Sequence, residues 1–426
     1  MSFRRWTSIL ERRRSMNLAL LTTTLIEEIE ANLSETSSSS CSSSEEDDDD
    51  MMLVDITDML LQHTARVVAD IDGGTEDCTI QWRKYGGLLI QDVSEDDAIA
   101  HFRFRKRHLQ EVADKVWPRV QEYLVGGKMA VTYNSGNYSA PYESLFLLVL
   151  FRFSRPRRIR PEMESYFGFR RSKISAGIKE MVNALYFVAK QYLESPQIFK
   201  HRMEYYAERI ANNCGWLVDT VWGFINGTLR KTCRPSYFQK LLYSGHKRAH
   251  GIKFQSVVTP DGLFACFFGP INGNRHDSYM LARSELIPKL QEFMPFHNER
   301  NVAAGAGGET IYSLYGDPAY PQSLYVFGGY RNPPPGSDQA RWNTEMSKVR
   351  EVVEWGFANL ISNWAFLDFK ASMMIFQSPV AKYYIVAAFL CNLRTCFYGN
   401  QVLDYFDCDA LTIDDYLSLI DHDDYL

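Results

Sequence analysis

Between residues 214 and 400 the hydrophobic pattern dictates an order of elements that few folds accommodate. WLVDTVWGFI, residues 216–225, is an apolar run that reads as a strand ending at Asn226-Gly227-Thr228. HGIKFQSVV and LFACFFGPI flank Thr259-Pro260-Asp261-Gly262, a tight-turn sequence that makes them a hairpin. A helix from about Ser278 to Phe293 follows, then a strand IYSLYG ending at Asp317, then a long helix from about Ala340 to Ile361. Three strands, a helix, a strand and a helix fit a mixed sheet with helices packed on it.

This succession is that of the ribonuclease-H-like fold, an α/β (α+β) architecture of a mixed sheet with flanking helices. It is preceded by a helical region. From about 95 to 200, Ala98, Phe102, Phe104, Leu109, Val112, Val116 and Val120 recur at helix-like intervals, and SLFLLVLFRF extends from Ser144 to Phe153. Pro161 then opens a short helix, PEMESYFG, which Gly168 closes, and Ser172 caps a longer one, KISAGIKEMVNALYFVAKQYL. Two helices joined by a tight glycine turn resemble a helix-turn-helix. Between Arg152 and Glu180 stand nine basic residues against Glu162, Glu164 and Glu180, a local +6 in a chain whose net charge is -6. Such an excess is the footprint of phosphate contact, and Arg155, Arg157, Arg158, Arg170, Arg171 and Lys173 are its candidate ligands. Arg170, Arg171 and Lys173 stand at the start of the second helix, the end of a recognition helix that reaches base edges.

The chain divides on composition into five parts. Residues 1–50 hold a basic leader helix and a disordered tract, ETSSSSCSSSEEDDDD, too polar to offset its ordering entropy. Residues 51–94 read as a linker region, 95–200 as the helical DNA-binding module, 205–400 as the nuclease-like domain and 401–426 as an acidic tail. The tail carries eight aspartates and no Lys or Arg, interleaved with Leu411, Ile413, Tyr416 and Leu417. Such a segment docks onto a basic protein partner, folds back over a basic surface or stays an inert solvated tail. No run approaches the ~18 apolar residues of a membrane helix, and the first residues lack a secretory signal's apolar stretch, so the chain reads as soluble and intracellular. Eight cysteines without a CxxC pair exclude a disulfide scaffold and a zinc ribbon, and Cys391 and Cys396 read as buried thiols.

Five ordered motifs, GFINGTLRKTCRP, YSGHKRAHGIKFQSVVTPDG, GPINGNRHDSYML, YGDPAYP and SKVREVVEWGF, resemble those of the PIF/Harbinger-type DDE transposases. The resemblance spans roughly residues 140–400. It implies three carboxylates on separate elements that hold two Mg²⁺ or Mn²⁺ ions, which activate the attacking oxygen and neutralise the leaving one during phosphoryl displacement. It implies duplex DNA as substrate, with transposon terminal repeats as the target of an active enzyme. A homo-oligomer and a nuclear location are compatible with it.

The resemblance places the second acid at Asp317 and the third at Glu354, 37 residues later. The first acid is replaced. Where the family's motif has aspartate before Gly-Thr, this chain has Asn226, which offers a carbonyl oxygen but no charge. Asp219 does not substitute, because seven residues along a strand put it on the opposite face and about 23 Å away. Asp277, with His276 beside it, matches a family acid outside the triad and reads equally as a supporting ligand or a helix N-cap. His246, Lys247 and Arg248 either line the DNA groove or decorate a sheet edge. Three functions remain open on these residues: an impaired nuclease that retains DNA binding, an active metal-dependent endonuclease or transposase, and a domesticated protein-interaction module. Asn226 favours a non-catalytic DNA- or protein-binding module, its nuclease domain impaired, over a nuclease that tolerates the change.

Overall fold

Apolar side chains recurring every three or four residues make the first half of the chain helical. The computed structural model describes residues 87–126, 140–156, 161–214, 220–294, 311–375 and 377–420. The basic leader, the Ser-rich tract, Arg157, Arg158, Arg160 and Asp219 lie outside the described residues. The first helices are α1 (Lys106–Gly126), α2 (Tyr142–Ser154), α3 (Pro161–Phe167), α4 (Arg171–Leu193) and α5 (Met203–Cys214). Residues 87–94 belong to the packed body and not to a linker. Ile90 and Val93 are buried, and the Ile90 N–H donates to Glu143 on α2 at 3.0 Å.

The sheet follows. Its strands are β1 (Val221–Lys231), β2 (Tyr243–Ser244), β3 (Ala249–Val258), β4 (Phe264–Asn272), β5 (Ser313–Tyr315) and β6 (Val326–Phe327). β1 is central, antiparallel to β3 on one side and parallel to β5 on the other. β4 extends the antiparallel half beyond β3, and β6 extends the parallel half beyond β5. The result is a mixed six-stranded sheet with flanking helices, an α/β fold consistent with the ribonuclease-H-like architecture. β1 runs five residues past Asn226, because Gly227 to Lys231 keep pairing with β3 where a turn was expected.

Two helices, α6 (Asp277–Arg283) and α7 (Leu286–Phe293), stand where one was expected. Ser284 turns its hydroxyl back onto the Leu281 carbonyl at 2.8 Å, and Glu285 takes a left-handed conformation that ends the first helix. The long helix is α8 (Asp338–Asn363), capped by the Ser337 side chain on the Ala340 N–H. After it come α9 (Val380–Tyr398), α10 (Gln401–Phe406) and α11 (Ile413–Ser418).

No boundary separates the helical region from the sheet. α4 packs against α1, α2, α9 and β4, and one continuous set of buried side chains runs from Ile90 to Leu417. The acidic tail is part of that core. Val402, Phe406, Leu411, Ile413, Tyr416 and Leu417 are all buried, so its apolar side is occupied within the chain. Its polar side meets cations of the helical region: Asp414 pairs with Lys115, Asp407 with Arg209 at 3.4 Å, and the Leu417 carbonyl accepts from Arg119 at 2.8 Å. The described part of the tail, residues 401–420, therefore packs back onto the body of the chain. Among the described residues, no helix is long and apolar enough to cross a membrane.

Candidate functional site

The register of β1 against β5 brings the first two triad positions together. Phe224 pairs with Tyr315, so two residues further on Asn226 comes level with Asp317, where β5 has ended and β1 continues. Gly316 permits the approach: a Cβ there would lie 2.7 Å from Ile225 Cγ2, too close for any other residue without a shift. The carboxyl end of a parallel pair is where such sheets bind ligands.

Alternation along β1 assigns the faces. Asn226 shares a face with Phe224 and Arg230, and its antiparallel partner Ser256 shares that face too. α8 covers this side: Gly356 abuts Val258, the partner of Phe224, Phe357 lies under the Arg230 guanidinium at 5.2 Å, and Trp342 meets Tyr315 edge-on. Met346, Val349, Val352, Phe357 and Leu360 form the buried stripe of α8. Glu354 lies off that stripe, exposed to solvent. Asn226 and α8, the helix that carries Glu354, thus lie on one side of the sheet.

Asp277 lies on the other face. A Cβ on Gly227, the residue after Asn226, would come within 2.9 Å of Asp277 Oδ1. Lys253 of β3, two positions from Gly227's partner Gln255, holds that carboxylate in an ion pair at 3.0 Å. His276 takes the N-cap position of α6, and no side-chain hydrogen bond caps the helix. Asp277 is accordingly a first-turn acid paired to a lysine, which places it across the strand from Asn226. Tyr320, which sequence reasoning passed over, lies near both Asp277 and Asp317. It is buried with its hydroxyl unpartnered, and burial, followed by the negative charges of Asp277 and Asp317, raises its phenol well above the ordinary value. Its signal in the sequence was its position three residues after Asp317 in YGDPAYP.

These donors do not fit a two-ion centre. Asn226 Oδ1 accepts the Gly227 N–H at 2.8 Å, and Asp317 Oδ1 accepts the Ala319 N–H at 2.9 Å in a local turn. The set amounts to one neutral amide and two carboxylates. Among the described residues no three His, Cys, Asp or Glu side chains converge to hold a metal. Cys391 is a buried thiol, pushed up to about 12 by desolvation, which is inert as a ligand or nucleophile at neutral pH.

Residues 225–392 match the family model of the DDE superfamily endonuclease. That stretch of endonuclease homology opens one residue before Asn226, contains Asp317 and Glu354, and ends inside α9. No curated protein and no solved structure matches the chain.

The basic residues before the endonuclease homology divide by environment. Arg152 is covered by the protein, its guanidinium 3.6 Å from the Phe366 ring centre, and burial draws its pKa down. Arg155 pairs with Glu162, sits 4.2 Å over the Phe151 ring and bonds to His101 at 2.8 Å, so it is a structural residue and not an open phosphate ligand. Arg170 and Arg171 are exposed at the start of α4, and Lys173 is half-buried. Gly168 makes the expected left-handed turn, but Ser172 does not cap the helix. The Glu164 carboxylate does so instead, accepting the Arg171 N–H at 2.6 Å, because an acid on α3 reaches the unsatisfied donors that open α4. One face of α4 is core from Ile174 to Leu193, while Lys179, Phe187 and Gln191 are exposed along the other. His246, Lys247 and Arg248 are exposed on the turn before β3.

Proposed function

We propose that this chain is a transposase-derived DNA-binding protein of the PIF/Harbinger type, whose endonuclease domain is catalytically impaired at its first acid position. Asn226 carries the reading. It occupies the strand position level with Asp317, on the sheet face that α8 covers, and brings an amide where the chemistry of two clustered dications calls for a carboxylate. Asp317 and Glu354 remain as the second and third acids, and Mg²⁺ or Mn²⁺ would be held weakly by what is left. Duplex DNA as partner is supported by Arg170 and Arg171 at the exposed start of α4 and by Lys247 and Arg248 beside the sheet. A nuclear location follows from that role.

The test is binding and cutting measured on one preparation. Full-length protein should bind a labelled duplex with an affinity that falls steeply with salt, and should leave a supercoiled plasmid intact in Mg²⁺ or Mn²⁺. Binding indifferent to salt would remove the DNA reading. Metal-dependent nicking by the unaltered chain would remove the impairment and leave an active endonuclease.

A further inference from the structure

The connection from β1 through β2 to β3 carries chemistry that phosphate contact alone does not use. From Lys231 to Arg248 the chain has Lys231, Arg234, Lys240, Lys247 and Arg248, all exposed, and no acidic residue. Three of the large hydrophobic side chains exposed in the described residues fall within seven positions of the same segment: Tyr237 at 72%, Phe238 at 37% and Tyr243 at 41%. Aromatic rings left in solvent amid cations are not a folding device, because burying them would stabilise the fold. Two residues here hold left-handed backbone that side chains disfavour, Phe238 with φ 57° and Arg248 with φ 48°. Tyr243 lies against the His250 ring at 5.2 Å. Burial, and then the charges of Arg234 and Lys370, keep that imidazole below its ordinary value.

We infer that this surface is a stacking platform for the unpaired bases of single-stranded DNA, with the surrounding cations tracking the strand's phosphates. It rests on the DNA-binding reading above and narrows it to one strand form. A base presents its π-face only once it has left the duplex stack, so exposed rings discriminate unpaired from paired DNA, whereas cations attract both. Position supports this. Lys231 ends β1 five residues beyond Asn226, about 17 Å along the strand at 3.3 Å per residue. That is about five base steps at 3.4 Å each. Tyr243 pairs with His250, whose carbonyl accepts the Thr232 N–H, so this ring stands beside that strand end and a frayed DNA end seated at Asn226 would reach it with its last few bases.

The experiment uses the full chain, a fluorescein-labelled oligo-dT and a duplex of the same length, with anisotropy as the readout. Tyr237→Ala should weaken oligo-dT binding about tenfold while leaving duplex affinity within about twofold, and Tyr237→Phe should restore it, since stacking needs the ring and not the hydroxyl. At 72% exposure the Tyr237 ring makes little contribution to folding, and an unchanged melting temperature verifies that. Tyr243→Ala should act in the same direction. Equal losses on oligo-dT and duplex, or oligo-dT binding untouched by Tyr237→Ala, would overturn the platform while the DNA reading stands. Oligo-U bound about tenfold more tightly than oligo-dT would overturn its assignment to DNA. A chain that binds neither DNA probe at low salt would overturn both readings.

Discussion

Replacing Tyr416 by alanine should be among the most damaging single changes in the chain, although it lies in a segment with the composition of a solvated acidic tail. Tyr416 has no solvent exposure, its ring stacks on Tyr192 with centroids 5.2 Å apart, and its hydroxyl accepts from Asn392 Nδ2 at 2.9 Å. Truncating a buried aromatic side chain costs about 3–5 kcal/mol in transfer and cavity terms. The lost hydrogen bond adds about 1 kcal/mol, since Asn392 Nδ2 keeps a second bond to the Phe264 carbonyl and is not orphaned. The sum, about 4–6 kcal/mol, is a large part of the roughly 5–15 kcal/mol that holds a typical domain folded. Tyr416→Phe should lose only the last of these terms, about 1 kcal/mol. Urea unfolding followed by tryptophan fluorescence reads both. A Tyr416→Ala midpoint that differs from the unaltered chain by less than the Tyr416→Phe midpoint does would refute the packing argument. It would return residues 401–420 to the role of a solvated tail.

Arg170→Ala with Arg171→Ala should reduce the slope of log affinity against log salt by about 1–2 for duplex DNA, since each phosphate contact contributes about 0.9; an unchanged slope would show that α4 does not face the duplex. Burial, and then the charge of Arg155, hold the His101 imidazole below its ordinary value of 6.5, so its protonation is disfavoured in the folded state. The stability it contributes is present above pH 6.5 and is lost as pH falls through the depressed folded value, so His101→Gln should flatten the acid side of a stability profile, and identical profiles would contradict this. Lys253→Met should unseat Asp277, whose carboxylate is largely covered, and destabilise the chain by about 1–3 kcal/mol, whereas no change in the urea midpoint would show the pair to be ornamental.

The strands and the long helix were legible because period and turn chemistry act locally: the hairpin around Thr259-Pro260-Asp261-Gly262 and the helix leading to Glu354 follow from residues near one another in the chain. The level placement of Asn226 and Asp317 depends on a parallel pairing across some ninety residues, which no local pattern encodes. Resemblance supplied the residues, and the register supplied their relation. The place of Asp277 was open for a similar reason, since its motif announces an acid near the site but not the strand face it occupies. Arg155 and Arg152 were counted as surface charge because sequence does not reveal Phe151 and Phe366 beneath them. Sequence left the tail open between docking on a partner and folding back, because aspartate-rich composition obscures the spacing of Ile413, Tyr416 and Leu417, which is that of a helix with a buried side.

The most direct measurement of the central claim compares Mn²⁺ binding, by calorimetry, and plasmid nicking for the unaltered chain and for Asn226→Asp, on fresh protein whose Asn226-Gly227 peptide is shown by mass spectrometry not to have deamidated. An aspartate at this position adds a negative charge level with Asp317, so on the proposed reading the variant should bind Mn²⁺ about tenfold or more tightly. It should also nick DNA where the unaltered chain does not, and Glu354→Gln in that background should abolish the cutting. An unaltered, undeamidated chain that binds Mn²⁺ and nicks as fast as Asn226→Asp would contradict the account.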